Sequence, residues 1–399
     1  MSKQIQDAYI VAAARTPIGK APKGAFRSVR PDDLLVRALQ AALAQVPSLD
    51  PKTIEDAIVG CAIPEAEQGL NVARIGALLA GLPDTVGGVT VNRFCASGLT
   101  ALAMAADRIR VGEAEVMIAA GVESMSRVPM MGNTPSMNPA VFAKDEHLGI
   151  AYGMGMTAEK VAQQWKVSRE DQDAFALESH RRALAAQAAG EFADEICPVE
   201  VVERLPDLAR GEVSTTTRTV SLDEGPRRDT SLEGLAKLRP VFAAKGSVTA
   251  GNSSQTSDGA GALIVVSERI VKQFDLKPLA RFVSFSVRGV PPQIMGIGPK
   301  EAIPAALRVA GLKQDQLDWI ELNEAFAAQA LAVVRDLGLD TSKVNPMGGA
   351  IALGHPLGAT GAIRAATVVH ALRRRNLKYG MVSMCVGTGM GAAGILERV

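Results

Sequence analysis

Short β-rich apolar runs alternate with longer stretches of helical spacing, and the pattern occurs at both ends of the chain around a polar middle. DAYIVAAA at 7–14, DAIVGCA at 56–62, GVTVNRF at 88–94 and AEVMIAAG at 114–121 read as strands. Between the last two, Leu99, Leu102, Ala103, Ala106 and Ile109 recur at helical spacing, so one face of that segment is expected to pack inward. Strand patterns resume at ALIVVSE (262–268) and ARFVSFSV (280–287), followed by DWIELNEA, KVNPMGGA and GMVSMCVG. Alternation of this kind predicts a layered α/β fold around a buried sheet.

The two ends share texture. Residues 56–61 (DAIVGC) match 318–323 (DWIELN), and Val91-Asn92 matches Val344-Asn345, which suggests a duplication into two similar halves with a site at their junction. From about Ser124 to Ser247 the texture changes. MSRVPMMGNTPSMNP is loop-like, a capping box at Ser168 to Asp171 opens a helix toward Gly190, and RGEVSTTTRTVSLDEGPRRD is polar. The expected organisation is a first half at 1–123 continued by 248–274, an inserted loop domain at 124–247, and a second half at 275–399.

Charge narrows the function classes. Lys+Arg number 43 against 42 Asp+Glu, a net charge of +1, and no like-charge run exceeds Arg373-Arg374-Arg375, which argues against nucleic acid as partner. Cys61, Cys95, Cys197 and Cys385 lie far apart, with neither a disulfide framework nor metal-ligand spacing. Free thiols fit a reducing compartment. No apolar run reaches 18 residues and neither end carries an address signal, so a cytoplasmic protein without membrane insertion is expected.

Cys95 follows a strand and precedes the helix that begins near Ser97-Gly98, which puts its sulfur at the positive end of a helix dipole. That position is expected to lower the thiol pKa. Ala96, Ser97 and Gly98 leave room for another group and free backbone N–H donors for an oxyanion. A buried, inert cysteine fits the position equally well. His355 lies in NPMGGAIALGHPLG, where glycines and prolines fix an irregular turn, and can serve there as base, acid or oxyanion donor. Cys385 ends an apolar run and opens VGTGMG, a second thiol at a strand end. Asn323, after the strand at 319–322, can anchor a water or an oxyanion, or simply cap a helix. Arg227, Arg228 and the loop at 249–254 can meet a phosphate-bearing ligand, or form a solvated basic turn.

With Cys95 in VNRFCASG, Asn323 in NEAF, His355 in GGAIALGHPLG and Cys385 in CVGTGMG, in this order, the chain resembles the thiolase family from end to end. The resemblance implies an α/β fold of five layers, αβαβα, built from two similar halves with an inserted loop domain that cradles coenzyme A, and a homodimer or homotetramer. It implies Cys95 as the acylated nucleophile, His355 as its activator and Cys385 as the acid/base. One oxyanion hole would use His355 and a water held by Asn323, the other the N–H groups of Cys95 and Gly387. Ser254 would contact pantetheine and Arg227 the adenine end of coenzyme A. Coenzyme A is a substrate in this chemistry, and no cofactor or metal is expected.

Short-chain acetoacetyl-CoA thiolases typically carry His where this chain has Gly153, which leaves volume for a longer acyl group. Met130, Met131, Met154 and Met156 can line an acyl tunnel or simply pack in a loop. The resemblance therefore implies a degradative thiolase that cleaves 3-ketoacyl-CoA to acetyl-CoA and a shortened acyl-CoA through acyl-Cys95, with an acetyl-CoA acetyltransferase as the alternative. A hydratase-dehydrogenase chain is a possible partner. A decarboxylating ketoacyl synthase lacks a second catalytic Cys, and a non-catalytic CoA-binding or lipid-binding relative would not need all four motifs.

Overall fold

In the computed structural model, which describes residues 5–207 and 209–399, the chain lays down one set of strands twice. The first pass gives β1 (Ala8–Arg15), β2 (Gly19–Lys20), α1 (Pro31–Ala44), β3 (Asp56–Gly60), α2 (Val72–Leu79), β4 (Gly87–Val91), α3 (Ser97–Arg110) and β5 (Val116–Ser124). An excursion follows, with α4 (Met154–Gln164), α5 (Arg169–Ala188), a hairpin of β6 (Val199–Asp207) and β7 (Glu212–Val220), and α6 (Leu232–Ala236). The chain then returns through β8 (Ser257–Ser267) and α7 (Glu268–Gln273). The second pass gives β9 (Ala280–Gly289), α8 (Gly298–Ala310), β10 (Trp319–Leu322), α9 (Ala327–Leu337), α10 (Ala350–Leu353), α11 (Thr360–Arg374), β11 (Tyr379–Val386) and β12 (Met390–Arg398).

The main sheet runs β10-β11-β12-β9-β1-β8-β5-β3-β4. Each half repeats the same pairings outward from its first strand: antiparallel to the last strand, antiparallel again, then parallel. The halves join where Tyr9 and Ile10 pair with Arg281 and Ala280. The duplication read from 56–61 and 318–323 is present as β3 and β10. Its outer neighbour differs between the halves. β4 is a full strand beside β3, whereas KVNPMGGA contributes only a parallel bridge between Ile320 and Val344. The reason is local: Asn345 turns to φ +45 and its side chain bonds the Leu322 N–H at 2.9 Å and the Leu322 carbonyl at 2.8 Å, and Pro346 follows, so the ladder stops.

Five layers result. α1 and α2 cover the outer face of the first half, α8 and α9 that of the second, and α3 and α11 fill the middle. Burial of α3 exceeds the single inward face expected from its spacing: residues 97–103, 105, 106 and 109 are all buried. Alanines and Gly98 at the extra positions let a second element press on the opposite side. That element is α11. A Cβ on Gly98 would stand 2.7 Å from the Ala362 nitrogen, and one on Gly361 only 2.1 Å from the Leu99 nitrogen, so the two helices cross backbone to backbone near their N-termini. Either glycine replaced by alanine would have to separate them.

In the excursion the Ser168 cap forms, its hydroxyl accepting from Asp171 N at 3.1 Å. The polar run is a hairpin strand, β7, exposed along nearly its whole length, which accounts for its composition. Buried Arg15 fastens the excursion to β1 through Glu195 at 2.6 Å and Asp223 at 2.8 Å. Among the described residues no helix is long and apolar enough to cross a membrane.

Candidate active site

Cys95 sits in a 3-10 turn (Phe94–Ala96) that links β4 to α3. Phe94 adopts φ +43, and the turn is braced by Arg93 N donating to Ser97 Oγ at 2.9 Å, Ser97 Oγ donating to the Phe94 carbonyl at 2.7 Å and Phe94 N donating to Asn92 Oδ1 at 2.8 Å. β11 packs against this turn, bringing Cys385 and Gly387 to it. The backbone N–H groups of Gly387 and of Cys95 itself both point to the Cys95 sulfur. Cys95 is 7% exposed, and burial pushes its thiol up to about 12, only partly offset by those two donors. This corrects the lowered value expected from helix position: a dipole acting through one turn is outweighed by loss of water, and the nearby Glu123 charge works in the same direction as burial. At neutral pH Cys95 is therefore a thiol that has to be deprotonated by a neighbour.

Alkylation supplies a check. The thiolate fraction should rise about tenfold per pH unit while pH stays below the thiol pKa. Iodoacetamide modification of the Cys95 peptide is thus expected to accelerate continuously from pH 7 to pH 10. A plateau near pH 8 would contradict a buried, unactivated resting thiol.

His355 is placed by the irregular turn before α11, the counterpart of α3 in the second half. The turn around Cys95 and the turn at Leu357–Ala359 pack together. His355 is held from three sides. Its main-chain N–H donates to Ser257 Oγ at 3.1 Å and to the Gln255 carbonyl at 3.2 Å, Nδ1 meets Thr360 Oγ1 at 2.7 Å, and Nε2 meets Asn323 Nδ2 at 3.3 Å. With the Asn323 amide donating to Nε2, the ring proton belongs on Nδ1, donated to Thr360. Burial, and secondarily the Arg364 charge, lowers the imidazole to about 3, so the ring is neutral and its Nε2 carries a lone pair rather than a proton. Asn323 Oδ1 is buried and has no protein hydrogen-bond partner among the described residues.

Cys385 is fully buried among Ala158, Val248, Met295, Ala325 and Phe326. Burial raises its pKa, and a charge on Cys95 raises it further. The two thiols are therefore coupled, and ionising one opposes ionising the other. Cys95, Cys385 and Gly387 thus lie together, and the hydrogen-bonded pair of Asn323 and His355 is joined to them through the Asn323 N–H, which donates to the Ser383 carbonyl of β11 at 2.9 Å, and through the Leu357–Ala359 turn, which packs against the Cys95 turn. Ser254 lies at the edge of this group, its N–H donating to the Ala325 carbonyl at 2.9 Å. Arg227 stands apart, paired with Asp229 at 3.2 Å, on a cavity of about 380 Å³ lined also by Lys20, His180, Ser231, Gln255 and Ile351. Gly153 precedes α4, and a Cβ there would meet nothing within 4 Å. Of the four methionines only Met154 reaches the site, 3.9 Å from a Cβ placed on Gly387; Met130 and Met131 are exposed, and Met156 lines a different cavity.

This arrangement of two thiols and a neutral imidazole can be set beside known proteins. The description "Thiolase, N-terminal domain" matches residues 8–269, and "Thiolase, C-terminal domain" matches residues 276–398. The chain belongs to the thiolase family. It is similar to the 3-ketoacyl-CoA thiolase of Bacillus subtilis, 50% identical over 394 residues that span 98% of this chain and 100% of that one. Among solved structures, the acetyl-CoA acetyltransferase of Bacillus anthracis superposes with a TM-score of 0.90 at 40% identity, covering 100% of both chains. Human mitochondrial 3-ketoacyl-CoA thiolase in complex with CoA superposes at 0.87 and 41% identity, covering 99% of this chain and 98% of that one. As a thiolase the protein is an acyltransferase, and its fold is the five-layered duplicated one.

Several residues around the thiolase site escaped sequence reasoning. Thr360, five positions after His355, orients the ring, and the spacing from His to a hydroxyl across a helix start is the signal that would have found it. Arg364, one helical turn further, approaches Glu321 at 3.6 Å in the core, and burial raises that carboxyl to about 7. Glu324 in NEAF accepts from Ser179, Asn345 and Ile351, a network with no local sequence pattern.

Proposed function

We propose that this thiolase cleaves 3-ketoacyl-CoA by ping-pong chemistry. The observation that carries the reading is the pair of neighbouring thiols, Cys95 and Cys385, beside the Gly387 N–H, with the neutral imidazole of His355 held just before the turn that packs against the Cys95 turn. Cys95 gives its proton to His355 Nε2 and its sulfur attacks C3 of the substrate. The C3 alkoxide is received by the N–H groups of Cys95 and Gly387. The C2–C3 bond then breaks, and the electron pair passes to C2 as the enolate of acetyl-CoA, whose oxygen faces protonated His355 and a water anchored by Asn323. Cys385 protonates C2, and acetyl-CoA leaves. The Cys385 thiolate next takes the proton of incoming coenzyme A, whose sulfur attacks the acyl-Cys95 thioester; Cys95 is expelled and recovers its proton from His355, and the shortened acyl-CoA leaves. Coenzyme A as substrate is supported by the CoA complex of the human relative, and the degradative direction by the 3-ketoacyl-CoA thiolases at up to 50% identity.

Mixing stoichiometric protein with 3-ketohexanoyl-CoA in the absence of free coenzyme A tests this. One equivalent of acetyl-CoA should appear together with acylated protein, and the shortened acyl-CoA only after coenzyme A is added. Release of both products only when coenzyme A is present from the start, with no acylated protein, would refute the ping-pong scheme.

Chain length is set, on this reading, by the open space at Gly153. Gly153 has φ −58, so a side chain is tolerated by the backbone. Gly153→His is expected to cut turnover of six- and eight-carbon 3-ketoacyl-CoA at least tenfold while sparing acetoacetyl-CoA; equal rates on all three would show that the space is not the acyl path. We also propose a homodimer formed along β4, whose free edge at one end of the sheet lies beside exposed Leu70, Leu79 and Val89. Light scattering should give twice the chain mass for the native protein and a lower mass for Val89→Asp. A cytoplasmic setting is supported by four free cysteines.

A further inference from the structure

The cavity that holds Arg227 is walled in part by the segment that leads directly into His355. That wall is α10 (Ala350–Leu353), four residues that end two positions before His355, with Ile351 lining the cavity. A helix of one turn has too few internal hydrogen bonds to fix its own place. It also hangs between glycines in left-handed geometry, Gly348 at φ +81 and Gly354 at φ +104. Its four residues are buried in the core, and beyond that packing its backbone groups are tied from outside by Gln255, Glu324 and Ser179, the last accepting the Gly349 N–H at 3.1 Å.

Gln255, itself on the cavity, donates from Nε2 to the carbonyls of Ile351 and Ala352, each at 3.1 Å, and to that of Gly225 at 3.0 Å. The Gln255 main-chain carbonyl accepts the His355 N–H at 3.2 Å. Gln255 thus joins the loop that leads to Arg227, α10 and His355. The second tie is Glu324, buried beside Asn323. Its carboxylate accepts the Ile351 N–H at 3.2 Å and the Ser179 hydroxyl at 2.6 Å. Ser179 precedes His180 on α5, and His180 Nδ1 accepts the Arg227 N–H at 3.2 Å from inside the same cavity. Both routes begin at the cavity wall and end on α10.

We propose that filling this cavity with the nucleotide end of coenzyme A fixes α10 and thereby His355, so that remote binding energy is expressed as rate, with Gln255 and the Ser179–Glu324 pair as positioning residues. The inference rests on coenzyme A being the substrate. Binding energy from a part of the substrate far from the reacting atoms raises the rate of the chemical step when it is spent on orienting the catalytic groups.

The test uses the full-length protein, acylated at Cys95 with 3-ketohexanoyl-CoA, gel-filtered, and mixed with saturating coenzyme A or with saturating pantetheine, which lacks the nucleotide. Single-turnover deacylation should be at least tenfold faster with coenzyme A in the native protein. In Gln255→Ala that ratio should fall at least fivefold, and in Ser179→Ala in the same direction. A lesion that merely loosens the fold slows both thiols alike and leaves the ratio unchanged; that outcome, or a native ratio near one, overturns the coupling. Failure of the native protein to form any acyl-enzyme is a different result: it overturns the functional reading, and the coupling falls with it.

Discussion

Cys95→Ala is expected to abolish acylated protein and to lower thiolysis by on the order of 10⁴-fold or more, as removal of a covalent nucleophile does. The size follows from the site. Cys95 Sγ is the atom on which the Gly387 and Cys95 N–H groups converge, and no other thiol occupies that position: Cys61 and Cys197 are buried elsewhere, and Cys385 belongs to a separate apolar cluster. Alanine keeps the small volume that the Phe94–Ala96 turn encloses, so the fold should persist. Intact-protein mass after incubation with 3-ketoacyl-CoA reads the outcome directly, and an acyl adduct on the variant would remove Cys95 from the mechanism.

Cys385→Ala should separate the two halves of the chemistry. Acylation by an acyl-CoA needs only Cys95, His355 and the oxyanion donors, so acylated protein should still accumulate. Cleavage needs a proton delivered to C2, and loss of a positioned acid/base costs about 10² to 10⁴-fold. The buried, raised thiol of Cys385 suits this task because it is protonated when the enolate forms. Undiminished thiolysis in the variant would assign the proton transfer to another group.

Residue type and position indicated the local setting of Cys95, Asn323, His355 and Cys385, and the structure has each in that setting. Each lies at the end of a strand or at the start of a central helix, and in a duplicated α/β fold those ends gather at one junction. The behaviour of the thiols was not legible. A helix start argues for a low Cys95 pKa, and only the packing of β11 and α11 around it reveals that desolvation dominates. Nor does the helical period of 97–110 disclose that α3 is buried almost all round, because that depends on α11, some 260 positions later in the chain. KVNPMGGA looked like the strands around it. Its Asn345 turn and the bonds to Leu322 are long-range choices that no local pattern encodes. The ties from Gln255 and Glu324 to α10 are likewise tertiary.

The central claim is cleavage of 3-ketoacyl-CoA of more than four carbons. Steady-state thiolysis by the purified protein, with free coenzyme A, 3-ketoacyl-CoA substrates from four to sixteen carbons and Cys95→Ala as control, tests it most directly. Turnover that extends to medium and long chains and vanishes in the control is the predicted result; turnover confined to acetoacetyl-CoA, or none at any length, would contradict it.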